Sequence, residues 1–184
     1  KVFIMLVKRA MSKNVVSVSV PGNREKVLDL MRKEDKAVLP VVKGDTKQLV
    51  GLITRSDIIV NPDEEQIAIL MSTDLVTASP DDDVKDVAKK MIDNNVRRVP
   101  VVDDNGDLVG IITSFDLVSN ALIKLESDDP VDNFMITSVP TTWYKTPLNV
   151  AFETMKQFGL KSVLALNDSA KLVGILTETD FIEE

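Results

Sequence analysis

Three aspartates each stand six residues after a glycine with a threonine midway: Gly51, Thr54, Asp57; Gly110, Thr113, Asp116; and Gly174, Thr177, Asp180. Each Gly-x-x-Thr-x-x-Asp run closes an apolar stretch and leads into a helix, with Ser56, Ser114 and Thr179 at or near the helix start. Such a turn offers a hydroxyl and unpaired backbone N–H groups to an anion such as phosphate, and a carboxylate that can accept from two neighbouring hydroxyls. Cations stand nearby in sequence: Arg97 and Arg98 ahead of a strand in the second copy, and Lys161 at the matching place in the third. Plainer roles compete. Each aspartate can serve as a helix N-cap, although Ser, Thr or Asn would cap as well and all three copies carry Asp. The threonines can be β-branched strand ends. Arg97 and Arg98 can be surface charges, and because alternate strand residues face opposite ways, only one of the two can look inward.

Other chemistry is excluded or weakened by what the chain contains. With no cysteine there are no disulfides or thiolate metal sites, and with no histidine there is no Ser-His or Cys-His nucleophile. A hydrolase is therefore not expected. The net charge of −7 opposes broad binding to nucleic acid or anionic lipid. One Trp and one Tyr leave little aromatic surface for stacking bases. Asp81-Asp82-Asp83 reads as acids suited to a helix dipole rather than a metal site. Asp103-Asp104-Asn105-Gly106-Asp107 reads as a hairpin turn, since its glycine is misplaced for an EF-hand and no glutamate closes the loop. The apolar start, Val2 to Val7, is far shorter than the ~20 residues that span a bilayer, and a cytoplasmic protein is expected.

The elements that would hold these residues recur with the same period. Met11, Met71 and Met135 are each followed by Met31, Met91 and Met155 at a constant interval, and the glycine motif follows in turn. The methionines read as adaptable packing residues between repeats. In the second copy Leu75 to Ala78 favours a strand, and Ser79-Pro80 reads as N-cap and first-turn proline. Val84, Val87, Ala88, Met91 and Ile92 then fall on one helical face. Val99 to Val102 and Leu108 to Ile112 follow as strands, and a second helix begins around Ser114 to Asp116. The first copy predicts a helix over Arg24 to Lys33, strands at Val38 to Val42 and Leu49 to Thr54, and a helix from about Ser56. The third predicts a helix from Thr146-Pro147 to about Phe158 and strands at Ser162 to Leu166 and Leu172 to Thr177. Asn61 to Glu64 and Ser127 to Pro130 are expected to begin short helices leading into Met71 and Met135. The fold class is mixed α/β (α+β), built from strand-helix-strand-strand-helix repeats at residues 7–61, 62–126 and 127–184. Repeats 1 and 2 form a pair. Repeat 3 is expected to pair with a fourth copy or with a second subunit, as in a homodimer.

The run from Met71-Ser72 through Val99-Pro100-Val101-Val102-Asp103 to Leu108-Val109-Gly110-Ile111-Ile112-Thr113-Ser114-Phe115-Asp116 resembles the cystathionine beta-synthase (CBS) domain family. Met11 to Val15 with Leu39-Pro40-Val41-Val42 and Val50 to Asp57 fits equally, while Leu164 in the third copy replaces Pro40 and Pro100. The resemblance implies a regulatory module whose repeats pair into a disc with clefts for AMP, ADP, ATP or S-adenosylmethionine, with or without magnesium, and with no other cofactor. It implies a ribose-binding role for Asp57, Asp116 and Asp180, and a phosphate path lined by Thr54, Thr113, Thr177, Ser56, Ser114 and Thr179. Adenine would meet Val16-Ser17 and Val76-Thr77, and Arg97, Arg98 and Lys161 would neutralise phosphate. Ala37 and Val38 replace the arginines in repeat 1, so unequal clefts are expected. The function implied is a non-enzymatic sensor acting on an enzyme or transporter. The alternative is a ligand-free scaffold or dimerisation module docking onto one.

Overall fold

A computed structural model of the chain describes residues 4–119, 130–133, 135–177 and 180. The chain divides into two compact units, Lys1–Glu126 and Ser127–Glu184.

In the first unit, α1 (Val7–Ala10) leads to β1 (Val18–Val20), α2 (Arg24–Lys33), β2 (Val38–Lys43), β3 (Leu49–Thr54) and α3 (Arg55–Val60). The second repeat follows with α4 (Ile67–Leu70), α5 (Val84–Asp93), β4 (Arg98–Val102), β5 (Leu108–Thr113) and α6 (Ser114–Leu117). The sheet of repeat 1 runs β1-β2-β3, with β1 parallel to β2 and β2 antiparallel to β3. In repeat 2 the leading strand expected at Leu75 to Ala78 shrinks to one parallel bridge, Ala78 to Val101, beside the β4-β5 hairpin. The helices end alike for a local reason. Asp35 and Asn95 take φ of 49° and 52°, and Lys36 and Val96 donate back to Met31 and Met91 carbonyls at 2.9 Å, which closes each helix with a left-handed residue.

Two helix starts differ from expectation. Helix α5 is capped by Asp83, whose carboxylate accepts from Lys85 N, rather than by Ser79. The Asp82 carboxylate instead accepts from the Ser79 N–H at 3.1 Å and pairs with Lys90 Nζ at 3.0 Å, folding Ser79 to Asp82 into a turn of its own. Burial pushes the Asp82 pKa up, but the Ser79 N–H and Lys90 outweigh it and hold the carboxyl below its ordinary value. Likewise Asn61 to Gln66 is turn and loop, and the helix before Met71 starts only at Ile67.

The two repeats exchange their leading helices. Val7 and Ala10 of α1 are buried with Val84, Val87, Val99 and Ile112 of repeat 2, while Ile67 of α4 is buried with Val27, Leu39, Ile53 and Ile58 of repeat 1. Backbone bonds repeat the exchange: Ser12 pairs with Ile111 in both directions at 2.9 and 3.0 Å, and Ser72 with Leu52 at 2.8 and 2.9 Å. Where the segments cross, a β-carbon on Gly110 would lie 2.5 Å from Met11 Sδ, and one on Gly51 would lie 2.5 Å from Met71 Sδ. Met11 with Gly110, and Met71 with Gly51, are thus the two halves of one reciprocal contact, and only a glycine admits the thioether so close.

The second unit carries a 3-10 turn at Val131–Asn133, then β6 (Thr141–Trp143), α7 (Leu148–Gln157), β7 (Ser162–Leu166) and β8 (Leu172–Thr177) in sheet order β6-β7-β8. Gly159, at φ 61°, ends α7 as Asp35 and Asn95 end the earlier helices. Of the helix start expected at Ser127 to Pro130, residues 127–129 lie outside the described residues. Ala151, Met155 and Val163 are buried, but β8 is not: Leu172, Val173 and Ile175 are exposed, Ile175 at 59%, where β3 and β5 carry buried residues. No described atom comes within 4 Å of a β-carbon built on Gly174.

Candidate functional site

The Thr-x-x-Asp spacing is first of all a helix start. Thr113 is the N-cap of α6 and Asp116 its third residue: Asp116 Oδ2 accepts from Thr113 N at 2.8 Å and from Thr113 Oγ1 at 2.6 Å, and Thr113 Oγ1 accepts from Asp116 N at 3.2 Å. Thr54 and Asp57 form the same box at α3, with 2.8, 2.7 and 3.2 Å. Thr177 donates through N and Oγ1 to Asp180 Oδ2 at 2.7 and 2.9 Å. The reciprocal bonds satisfy donors that a helix start leaves orphaned. So the threonine, not the aspartate, is the N-cap, and it is more than a strand end.

This changes the chemistry open to the turn. The single hydroxyl proton of Thr113 goes to Asp116, which leaves that oxygen only acceptor capacity toward a ligand. Two of the N–H groups at this helix start are also engaged: Ser114 N donates to the Arg97 carbonyl at 2.9 Å, and Asp116 N to Thr113 Oγ1. At α3, Arg55 N donates to the Ala37 carbonyl at 2.9 Å.

A cleft of about 360 Å³ opens between repeats 1 and 2, within the size range of small-molecule sites. Repeat 2 contributes Arg98, Ile111, Thr113 and Asp116; repeat 1 contributes Ser12 and Asn14 to Val16, and the turn and strand from Asp35 to Pro40. Arg98 is cross-strand partner to Thr113, which is why it reaches the same wall. Arg97 does not line this cleft. It borders an apolar groove with Ile92, Leu117 and Val118, together with Ser114. Strand alternation thus resolves the arginine pair in favour of Arg98.

Val16 also lines an adjoining cavity of about 400 Å³ that Ser17, Lys13 and Lys47 share. In repeat 2, Val76 packs against the core and the Thr77 carbonyl accepts from Lys90 Nζ at 3.4 Å. Thr54 and Asp57 sit half-buried at the β3–α3 junction, with Ser56 exposed. Lys161 is exposed before β7, at the register of Arg97 rather than of Arg98: Ser162, not Lys161, pairs with Thr177. Thr179 lies outside the described residues. Asn14, Asp35 and Ile111 escaped sequence reasoning. The first and last come together only through the Ser12–Ile111 exchange, and Asp35 faces the cleft because of its left-handed turn.

Among the described residues no group of three or more Asp or Glu is placed to hold a metal. The Asp103 to Asp107 segment is a hairpin turn in which Asp103 Oδ1 accepts from Asn105 N and Asp107 N at 2.9 and 3.0 Å. No helix of the described residues is long and apolar enough to cross a membrane.

A family model described as the CBS domain matches residues 7–62, 65–122 and 131–184. Protein MJ1225 of Methanocaldococcus jannaschii is 24% identical over 201 aligned positions, covering 98% of this chain and 71% of that protein. Its crystal structure aligns with a TM-score of 0.85 over 97% of this chain and 72% of its own, a likeness of fold. The CBS domain pair of protein MJ0100, solved with 5′-methylthioadenosine and S-adenosyl-L-methionine, is 33% identical at TM-score 0.57, covering 62% of this chain and 98% of that one. The cytosolic domain of the Mg2+ channel MgtE, solved with ATP, is 31% identical at TM-score 0.54, covering 59% of this chain and 46% of that one. The chain spans less than half the length of two further M. jannaschii relatives, MJ0188 and MJ1404.

Proposed function

Because the chain belongs to the CBS domain family, we propose that it is a regulatory, non-catalytic protein that binds an adenosyl ligand in the cleft between repeats 1 and 2. One observation carries the reading: Arg98 and Asp116 of repeat 2 face the apolar Val16 and Pro40 of repeat 1 across a cleft of about 360 Å³. In this reading Asp116 accepts from ribose hydroxyls, Arg98 neutralises phosphate, and adenine lies against Val16 and Ile111. Asp57 and Asp180 would hold ribose at the equivalent places of their own repeats. The pair from MJ0100 with its adenosyl ligands and the MgtE domain with ATP support the ligand class.

A ligand bridging the repeats binds better when they are closed together, and that differential affinity is the free energy a partner enzyme or transporter can read. The uncovered β8 and the exposed Met135 support pairing of repeat 3 with another CBS repeat, from a second copy or from a longer polypeptide.

Thermal denaturation with AMP, ADP, ATP and S-adenosylmethionine, each with and without magnesium, tests the proposal. A ligand at a hundred times its Kd adds ~2.7 kcal/mol of stability. Stabilisation by at least one, lost in Asp116→Ala, is expected. No response to any of them would leave the scaffold reading, which the purely structural engagement of Thr113 with Asp116 favours.

A further inference from the structure

Repeat 2 closes one of its edges with side chains where repeat 1 leaves the same edge open. In repeat 2, Ala78 turns its backbone to the β4-β5 hairpin, donating to the Pro100 carbonyl at 3.0 Å and accepting from Val102 N at 2.9 Å. Thr77 and Ser79 on either side therefore face away from the hairpin. There Lys90 Nζ donates to the Thr77 carbonyl at 3.4 Å, and the Asp82 carboxylate accepts from Ser79 N at 3.1 Å and from Lys90 Nζ at 3.0 Å. One cation and one carboxylate thus supply the donor and the acceptor that a further strand would supply.

Repeat 1 has the same edge without the plug. Strand β1 meets β2 through Val18 and Val20, the latter accepting from Gly44 N at 2.9 Å, so Ser17 and Ser19 face outward. Leu30 stands where Lys90 does, and Gly22 where Asp82 does. An acid has no room at Gly22: a β-carbon would lie 2.6 Å from the Ser19 carbonyl oxygen and 2.7 Å from Ile67 Cδ1, an atom that Val7, the counterpart of Ile67, lacks. In place of the plug is a groove of about 610 Å³, floored by Val27, Leu30 and Ile67 and bordered by Ser17, Ser19 and Lys26. Lys26 is the one charged residue lining it, stands where repeat 2 has Asp86, and makes no ion pair among the described residues.

We propose that the open edge of β1 takes up an extended segment of a partner protein as an added strand, which lays an apolar side chain over Val27 and Leu30 and presents an acidic one to Lys26. Main-chain bonds to the Ser17 carbonyl and the Ser19 N–H hold the segment as Lys90 and Asp82 hold their counterparts, while the groove and Lys26 select its side chains. The groove shares no lining residue with the Asp116 cleft, so the outcome of the test does not bear on the adenosyl reading.

The test titrates the whole chain with the end-blocked synthetic peptide Thr-Glu-Thr-Val-Thr-Glu-Thr, whose valine and glutamates share one face when extended. Amide NMR signals are expected to move at Ser17 to Val20 and at Leu30, and to stay in place at the plugged edge, Thr77 to Ser79. A twin peptide N-methylated at every amide, unable to donate along the edge, is expected not to bind. Leu30→Lys, which copies Lys90, is expected to weaken the peptide by about tenfold or more. Lys26→Glu is expected to reverse the preference toward a twin with lysine in place of glutamate, a change that loss of structure would not produce. Should Leu30→Lys fail to fold by circular dichroism, the reversal at Lys26 decides. No binding of the glutamate peptide, binding retained by the N-methylated twin, or equal binding of the glutamate and lysine peptides to the wild type would overturn the proposal. Self-association without peptide that moves the same amides, and that Leu30→Lys abolishes, would assign the edge to a second copy and overturn it as well.

Discussion

Met11 lays its sulfur over Gly110 so closely that a β-carbon there would sit 2.5 Å from Sδ and 3.1 Å from the Ser12 carbonyl oxygen. Methionine is flexible, but the backbone carbonyl behind it belongs to the Ser12–Ile111 bridge and cannot retreat without breaking it. Gly110→Ala should therefore destabilise the chain by about 1–3 kcal/mol, the usual range for overpacking. Gly174→Ala, with no described atom within 4 Å of the added carbon, should cost far less in the chain alone. Urea denaturation of both variants checks the contrast.

The capping boxes predict a loss of stability separable from any ligand. Thr54→Ala removes the N-cap acceptor and the hydroxyl donor to Asp57, and should cost about 1 kcal/mol. Thr54→Ser keeps both groups and should retain most of that stability. Chemical denaturation without ligand is the measurement.

Arg98→Ala should weaken a triphosphate by about tenfold or more, while Arg97→Ala should change its affinity little, since only Arg98 lines the cleft. Equal effects in titration calorimetry would remove the distinction drawn from strand alternation.

Asp82 predicts a pH dependence on the acid side. Its folded pKa lies below the unfolded value, so its contribution is present above the unfolded carboxylate range and is lost as pH falls through the lowered folded value. The pair with Lys90 is partly exposed, 43% at Lys90 and 30% at Asp82, so the contribution should stay below about 1 kcal/mol and shrink with salt. Asp82→Asn should be less stable than wild type at neutral pH and converge with it near pH ~2, in denaturation curves taken across that range.

Ile175 predicts association. If β8 is the pairing face of repeat 3, Ile175→Lys should abolish concentration-dependent association in analytical ultracentrifugation without changing the stability of the first unit. Unchanged association would place the contact elsewhere.

Much of this architecture was legible because its signals are local. Helix α2 and strands β3, β7 and β8 coincide with their expected spans. Ser79-Pro80 misled because the Asp82 carboxylate satisfies the Ser79 N–H in a separate turn and hands the cap to Asp83. The Gly-x-x-Thr-x-x-Asp motif was visible, yet its capping box was readable only by weighing threonine and aspartate together rather than each alone. Which arginine faces the cleft was not legible, since alternation requires a choice but register with Thr113 makes it. The exchange of leading helices left no local trace, because it joins Val7 to Val84 and Ile67 to Ile53 across the whole pair.

That exchange has a kinetic corollary. During synthesis, repeat 1 emerges before the helix that seals its interior at Ile67 exists, and α1 must wait for strands made some hundred residues later. Neither half can mature by itself, so the pair should be born in a single cooperative step. A ribosome stalled before Ile67 would hold a nascent chain still open to proteases.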